Sequence, residues 1–217
     1  MNLIGVVLCM LLFMWGWSVN VSGDAGEPSI IDCPIPLTEE REKLAQEYAW
    51  LHYHLYQTQI EPFAVVIHWT GADTWESTYH YFYNESREDG TLNVAAHFLV
   101  DKDGTIYRLT PETVMNRHII GYNWCAIGIE NVGGVDGVED LTEAQVIANE
   151  QLIRYLSCKY PMIRYVFGHY QQDFAQESGL YIEHVEGYSS VKSDPGPAFM
   201  EVLHRRLKDT PLHFFPE

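Results

Sequence analysis

The sequence predicts a single α/β domain in which a mixed central β-sheet is covered by helices on both faces. Short apolar runs rich in β-branched residues alternate along the chain with longer amphipathic stretches, a pattern typical of interspersed strands and helices. Two of the runs are joined by a short glycine-containing turn, so the sheet should include an antiparallel hairpin. A chain of 217 residues, 47% of them hydrophobic, can bury one sizeable core.

The first helix is predicted over residues 38–56, and the first strand over residues 64–68. Apolar residues of the helix recur at three- and four-residue spacing: Leu44, Tyr48, Leu51 and Leu55. The strand is a nearly continuous apolar run, as expected for a strand that is buried on both faces. A second helix should follow up to residue 83, capped by Asp73 with Glu76.

The stretch AAHFLVDKDGTIYRL predicts a hairpin, with Gly104 in its turn. AIGIENVG predicts another buried strand, and Thr142 with Gln145 forms a capping box for a helix that reaches about residue 160. IRYVFGHY is a strand that should end at Gly168 and His169. PAFMEVLHRRL closes the chain as a helix that begins at a proline.

Residues 1–17 carry no charge, and their apolar run of about fifteen residues is shorter than the roughly 20 that a membrane-spanning helix needs. We therefore expect a secretory signal, cleaved near Gly23, although a retained membrane anchor stays open. The protein should be secreted or periplasmic, or membrane-anchored if the leader is kept. The expected organisation is a signal or anchor over 1–23, a lead and helix over 24–61, the main domain over 62–207 and a tail over 208–217.

Charge and cysteine content limit the binding partners and the disulfide bonds that we expect. Thirteen basic residues stand against 30 acidic ones, and the formal net charge of −17 disfavours nucleic acid, whose phosphates are held by clustered Lys and Arg. Once the leader is removed, Cys33, Cys125 and Cys158 allow at most one internal disulfide. We expect a monomer.

Three polar side chains follow predicted strands or turns. His68 and His169 each end a strand, and Asp194 lies in a KSDPGP turn. Two imidazoles and a carboxylate suit a catalytic zinc site, in which three protein ligands leave the fourth position for a water whose pKa falls to about 7. A single histidine at a strand end is more often structural, however, and sequence separations of 101 and 25 residues form no local motif, so the residues alone leave zinc open.

Glu130 and Lys192 could assist such a site. Glu130 lies on the same side of its strand as Gly128, and an acid in an apolar strand is costly to bury unless it is paired or near a metal. It would act as general base for the water and then as acid for the departing amine. Lys192 shares a side with Asp194 and could stabilise an oxyanion. A simple ion pair between Lys192 and Glu130 is an equal alternative at this point.

Five blocks in order carry a resemblance to a known family: VIHWTG, AAHFLVDKDGTIYRL, RHIIG with NWCAIGIEN, FGH and KSDPGPAF. Together they resemble the zinc-dependent N-acetylmuramoyl-L-alanine amidases, which share a fold with the peptidoglycan recognition proteins. The resemblance covers roughly residues 62–207. It implies one bound Zn²⁺ and cleavage of the amide between N-acetylmuramic acid and L-alanine in peptidoglycan or muropeptides.

By this resemblance the zinc ligands fall on His68, His169 and Asp194, the catalytic glutamate on Glu130 and the lysine that stabilises the transition state on Lys192. All five positions hold the expected residue type.

Other residues match the same blocks. Trp69, expected as a substrate contact, stands where a tyrosine is common and keeps an aromatic wall. His118 and Asn123 are expected as contacts for sugar or peptide, and His97 as a mainly structural residue that opens a strand of the hairpin.

The chain departs from the family between His169 and Lys192, where residues 170–191 form a loop about twice the usual length. This loop could act as a lid or add substrate contacts, and its His184 is an alternative ligand. Two other functions stay open: a peptidoglycan-binding module that does not cut its ligand, and a zinc hydrolase of another acyl-peptide amide.

Overall fold

The computed structural model describes residues 26–215, and the predicted signal or anchor over 1–23 lies outside them. This part of the chain forms a seven-stranded sheet and four α-helices. The strands are β1 (Ile30–Asp32), β2 (Ala64–Trp69), β3 (Phe98–Val100), β4 (Ile106–Arg108), β5 (Ala126–Asn131), β6 (Tyr165–Gly168) and β7 (His213–Phe214). The helices are α1 (Glu39–Tyr53), α2 (Trp75–Tyr83), α3 (Glu143–Lys159) and α4 (Pro197–Arg206). The predicted α/β class is confirmed.

The sheet is mixed and has β2 near its centre. Its strand order is β1-β4-β3-β5-β2-β6-β7, and only the β3–β4 hairpin is antiparallel. The glycine expected in the hairpin turn, Gly104, has a φ of +88°, a backbone conformation that other residues rarely adopt. Because β2 lies between β5 and β6 and is parallel to both, the carboxyl ends of the three strands meet at one edge.

The two faces of the sheet are covered differently. On one face, α3 and α4 pack against alternate residues of β2 and β5, such as Val65, Ile67 and Ile129, and form the largest core cluster. On the other face, α2 packs near Leu99 through Phe82, while an irregular segment over residues 119–125 covers the neighbouring strands. Helix α1 then packs outside this second layer. The second face therefore holds loops, which leave room for a site.

Several element boundaries differ from the prediction. Helix α1 ends at Tyr53 because His54 adopts a left-handed conformation, and Leu51 is 58% exposed, since the buried face of α1 runs through Leu44, Tyr48 and His52 instead. Helix α2 is capped by the Thr74 side chain, which accepts from the backbone N–H of Ser77, and not by Asp73 with Glu76. The capping box of Thr142 and Gln145 at α3 is confirmed.

Two edge strands lie in segments that were expected to be irregular. Strand β1 belongs to the predicted lead and pairs with β4, and β7 belongs to the predicted tail and pairs with β6. Both are only two or three residues long, so they leave little periodic signal in the sequence. The sheet therefore includes residues on both sides of the predicted domain over 62–207.

Two further expectations concern cysteines and the membrane. Cys33, Cys125 and Cys158 are all free thiols, within the limit of one bridge. Across residues 26–215 no helix combines the length and apolar character that crossing a bilayer requires.

A buried amide network fastens the carboxyl end of β2 to α3. Asn131 donates from Nδ2 to the carbonyl oxygen of His68 over 3.0 Å, and its Oδ1 accepts from Nδ2 of Asn149 over 2.7 Å. Asn149 also donates to the carbonyl oxygen of Gln145. Asn131 and Asn149 are both fully buried. Through this network the backbone at His68 is fixed relative to the α3 layer.

We expect Asn149→Ala to lower the free energy of unfolding by about 1–3 kcal/mol, because it leaves the buried Oδ1 of Asn131 without a donor. Urea denaturation of the purified protein measures this loss. The matched control is Ile147→Ala, on the same helix but 40% exposed, which should change the stability by less than about 0.5 kcal/mol. Equal effects of the two substitutions would contradict the role given to the network.

Candidate metal centre

Three side chains that are far apart in sequence converge at the carboxyl edge of the sheet. His68 is the fifth residue of β2, and His169 directly follows β6, the neighbouring strand. Asp194 lies in the turn before α4, and its carbonyl oxygen accepts from the backbone N–H of Tyr170 over 2.9 Å. That bond holds the turn beside His169. All three side chains are buried.

The ligand atoms of this cluster form a nearly equilateral triangle. The Nδ1 atoms of His68 and His169 lie 3.0 Å apart, and each lies 3.2 Å from Oδ2 of Asp194. Two atoms at about 2.0–2.1 Å from a tetrahedral zinc ion would be separated by about 3.3 Å. The triangle therefore fits three positions of one tetrahedral site, and its two imidazoles and one carboxylate are ligand types that zinc takes in proteins.

The protonation states of the cluster suit a cation. Burial lowers the pKa of His68 to about 4, so its imidazole is neutral at pH 7 and keeps a lone pair. Burial alone would raise the pKa of Asp194, but hydrogen bonds with His169 and His68 outweigh it and hold that pKa well below its usual range. A carboxylate and a neutral imidazole thus face the centre of the triangle.

Glu130 lies next to His68 in the sheet. The two residues are direct partners in the parallel register of β2 and β5, so their side chains project from the same face. Burial raises the pKa of Glu130 well above its usual range, the nearby Asp194 raises it further, and Lys192 opposes both. Its Oε2 is buried without a hydrogen-bond partner among the described residues, so the alternative of a Lys192–Glu130 ion pair has no support at that oxygen.

An open cleft of about 380 Å³ leads to the cluster. Its walls include the three cluster residues together with Glu130, Lys192 and Trp69. A second cavity of similar size has His169, Lys192, Arg117 and His118 in common with the first, so the two form one extended groove. A groove of this length can hold a polymeric or branched substrate across the cluster.

The expected aromatic wall is present at Trp69. Its ring packs against Gly134, where an added Cβ would come within 2.2 Å of the ring. The glycine, with a φ of +74°, therefore allows the close approach that places the indole beside the cleft.

His118 and Asn123, expected as substrate contacts, are committed to internal partners. The ring nitrogens of His118 lie 3.1 Å from Nε2 of His68 and 3.1 Å from the carbonyl oxygen of Ala126. Asn123 is fully buried; its Oδ1 accepts from the backbone N–H groups of His118 and Ile119. The amide nitrogen of Asn123 donates to tyrosine hydroxyls of α1. Both residues also line the groove, so the substrate contacts expected of them stay predictions.

His97 has the structural position that was expected. It is fully buried, accepts at Nδ1 from the backbone N–H of Gly128, and lies 2.9 Å from the carbonyl oxygen of Val114 through Nε2.

The long loop over residues 170–191 is fastened to α1. Glu183 lies 2.9 Å from Nδ1 of His52, and both side chains are almost fully buried. The ring of His184 stacks on that of His54 at 4.0 Å between centroids, which places it outside the cluster and removes the support for it as an alternative ligand. The loop is thus an anchored wall of the groove.

Sequence reasoning did not single out Arg117, which also lines the groove. It donates from Nη1 to the carbonyl oxygen of Leu92 over 2.6 Å and from Nη2 to the hydroxyl of Tyr188, a residue of the long loop. Its guanidinium lies over the Tyr48 ring at 5.2 Å. In the sequence Arg117 is a single cation before His118, and its contacts with distant segments could not be foreseen.

Comparison with known proteins places these features in a family. The family model for N-acetylmuramoyl-L-alanine amidase matches residues 58–197. The endolysin of Escherichia phage T7 is 35% identical over 78 residues, 34% of this chain and 52% of the relative, and that of Klebsiella phage KP32 is 32% identical over 78 residues, with the same coverage. The chain therefore spans about half the length of the curated relatives it matches.

Solved structures show the same fold at low identity. The N-acetylmuramoyl-L-alanine amidase LysC from Clostridium intestinale superposes with a TM-score of 0.55 at 23% identity, covering 83% of this chain and 98% of that one. Human PGRP-IβC, solved with a glycosamyl muramyl pentapeptide, gives a TM-score of 0.52 at 18% identity, with coverage of 87% and 99%. Since the family model matches well over half of the sequence, the chain belongs to the N-acetylmuramoyl-L-alanine amidase family.

Proposed function

We propose that this protein hydrolyses the amide bond between N-acetylmuramic acid and L-alanine in peptidoglycan or muropeptides, with one zinc ion held by His68, His169 and Asp194. The observation that carries the proposal is the triangle of ligand atoms with sides of 3.0–3.2 Å at the floor of an open groove. Membership of the amidase family supports the assignment of the amide bond that is cleaved.

A zinc ion bound there would supply a water of lowered pKa and polarise the carbonyl that is attacked. Glu130 accepts the proton of the attacking water at its carboxylate, and it later gives a proton to the amine of L-alanine as the amine departs. Its raised pKa favours this second step, because a carboxyl group in apolar surroundings holds a proton more readily.

Lys192 stabilises the oxyanion that develops on the lactyl carbonyl. Lys192 lines the same cleft as Asp194, which lies two residues further along the chain. A cation placed where negative charge develops lowers the barrier more than it strengthens ground-state binding. Trp69 and the groove beside Arg117 bind and orient the sugar and the stem peptide.

The cellular setting is part of the proposal. A leader over residues 1–23 would send the chain to the periplasm or the exterior, where peptidoglycan lies, and a retained leader would anchor it to the membrane. The protein would act as a monomer, because the groove and all five chemical residues come from one chain. The complete ligand set favours the enzyme over a binding module that does not cut its ligand.

We expect the purified protein to contain about one zinc ion per chain, and Asp194→Asn to lose most of it, because the amide cannot replace the charged ligand. Elemental analysis after gel filtration measures the ratio. Asp73→Asn, an exposed substitution on the same chain, is the matched control and should keep the wild-type content. Wild-type protein that stays free of zinc in the presence of a slight excess would contradict the ligand assignment.

Glu130→Gln should lower the release of free stem peptide from purified cell wall by about 10²–10⁴-fold, because the amide cannot accept the proton. Lys192→Met should lower it by about 10²–10³-fold through loss of oxyanion stabilisation. Mass spectrometry of the digests gives both rates, and zinc content confirms that the site is intact in each variant.

Lys208→Met, which removes an exposed lysine beyond α4, serves as the control for charge and should keep full activity. The proposed function fails if zinc-loaded wild-type protein releases no stem peptide, or if Glu130→Gln retains undiminished activity.

A further inference from the structure

His118 lies between a proposed zinc ligand and the backbone of β5. One of its ring nitrogens, Nδ1, is 3.1 Å from Nε2 of His68, and the other, Nε2, is 3.1 Å from the carbonyl oxygen of Ala126. The two imidazole rings meet edge to face, at an interplanar angle of 90°. His118 is buried, so both contacts are shielded from solvent.

The carbonyl oxygen of Ala126 determines where the protons lie. A carbonyl only accepts hydrogen bonds, so Nε2 of His118 must carry a hydrogen. A neutral imidazole carries one hydrogen, so with that hydrogen on Nε2 the Nδ1 of His118 has a bare lone pair. Nε2 of His68 must then be the donor in the contact between the two rings. Nδ1 of His68 faces His169 and Asp194, and once a metal ion binds there the single hydrogen of a neutral His68 lies on Nε2, as this contact requires.

We infer that His118 is a positioning residue: with zinc bound, it accepts the hydrogen on Nε2 of His68 and so keeps the Nδ1 lone pair directed at the metal position. The inference rests on the proposed zinc site. It assigns to His118 a task different from the sugar or peptide contact expected at that position. Partners of this kind around a metal ligand typically change metal affinity by about 10–100-fold when they are removed.

The surroundings of His118 are built to hold its ring in one place. An added Cβ on Gly128 would come within 2.8 Å of Cγ and Nδ1 of His118, so only glycine at that position of β5 leaves room for the ring. The backbone N–H of His118 donates to Oδ1 of Asn123, whose Nδ2 donates in turn to the hydroxyls of Tyr48 and Tyr53 on α1. Helix α1 thus supports His118 through the side-chain amide of Asn123.

Two measurements test this inference, and neither uses catalytic activity. Long-range ¹H–¹⁵N NMR of the zinc-loaded wild-type protein at neutral pH shows directly which nitrogen of His68 carries the hydrogen. We expect the hydrogen on Nε2, with Nδ1 bound to the metal. A His68 ring that carries its hydrogen on Nδ1 would overturn the inference without any variant being made.

Competition with a chelator then measures zinc affinity in variants. His118→Leu removes the acceptor and should weaken zinc binding by about 10–100-fold. His118→Gln can accept through Oε1 and donate through Nε2, so it should recover most of the affinity. Gly128→Ala keeps the imidazole but displaces it, and it should weaken binding as well. Wild-type zinc affinity in His118→Leu would overturn the inference. So would a His118→Gln variant that unfolds normally but binds zinc no better than His118→Leu.

His52→Gln is the matched control, because it replaces another buried histidine that contacts Glu183 and not the cluster. It should bind zinc as the wild type does. The outcomes separate this inference from the proposed function. A wild-type protein that binds zinc with the expected tautomer of His68 but cuts no peptidoglycan would contradict the function alone. An active protein with the opposite tautomer would contradict the inference alone.

Discussion

The register of three parallel strands is the constraint on which the site depends. Pairing of β2 with β5 sets His68 beside Glu130, and pairing of β2 with β6 sets Ile67 beside Gly168, so that His169 emerges at the same edge. A slip of one residue would turn the side chains of a strand to the opposite face. The apolar residues of β2 are buried on both faces, which makes such a slip costly. The register therefore keeps His68, His169 and Glu130 at one edge of the sheet.

The edge so formed gathers ionisable groups that would be unfavourable without a cation. One buried acid, one partly buried acid and three buried imidazoles meet there in a chain of net charge −17. The surroundings of the two acids shift their pKa values in opposite directions: contacts with the imidazoles hold the pKa of Asp194 low, whereas burial raises that of Glu130. One carboxyl group is thereby suited to bind a metal and the other to exchange protons, a division of roles that environment alone can impose on like residues.

Much of this arrangement could be predicted from the sequence. Apolar runs placed His68, Glu130 and His169 at strand ends, and parallel strands bring such ends together. The chemical roles of these three residues, and of Asp194 and Lys192, come from the resemblance and stay predictions. The tasks of His118 and Asn123 could not be foreseen, since they depend on a carbonyl of β5 and on hydroxyls of α1. The edge strands β1 and β7 were missed because pairs of two or three residues form through tertiary contact and carry no periodic pattern.

The central claim is that two imidazole nitrogens and one carboxylate oxygen of this chain share a single zinc ion. X-ray absorption spectroscopy at the zinc edge of the loaded protein tests it most directly. We expect only nitrogen and oxygen atoms in direct contact with the zinc, at about 2.0–2.2 Å, with the outer scattering of two imidazole rings. A sulfur neighbour at about 2.3 Å, or scattering from one imidazole or none, would contradict it.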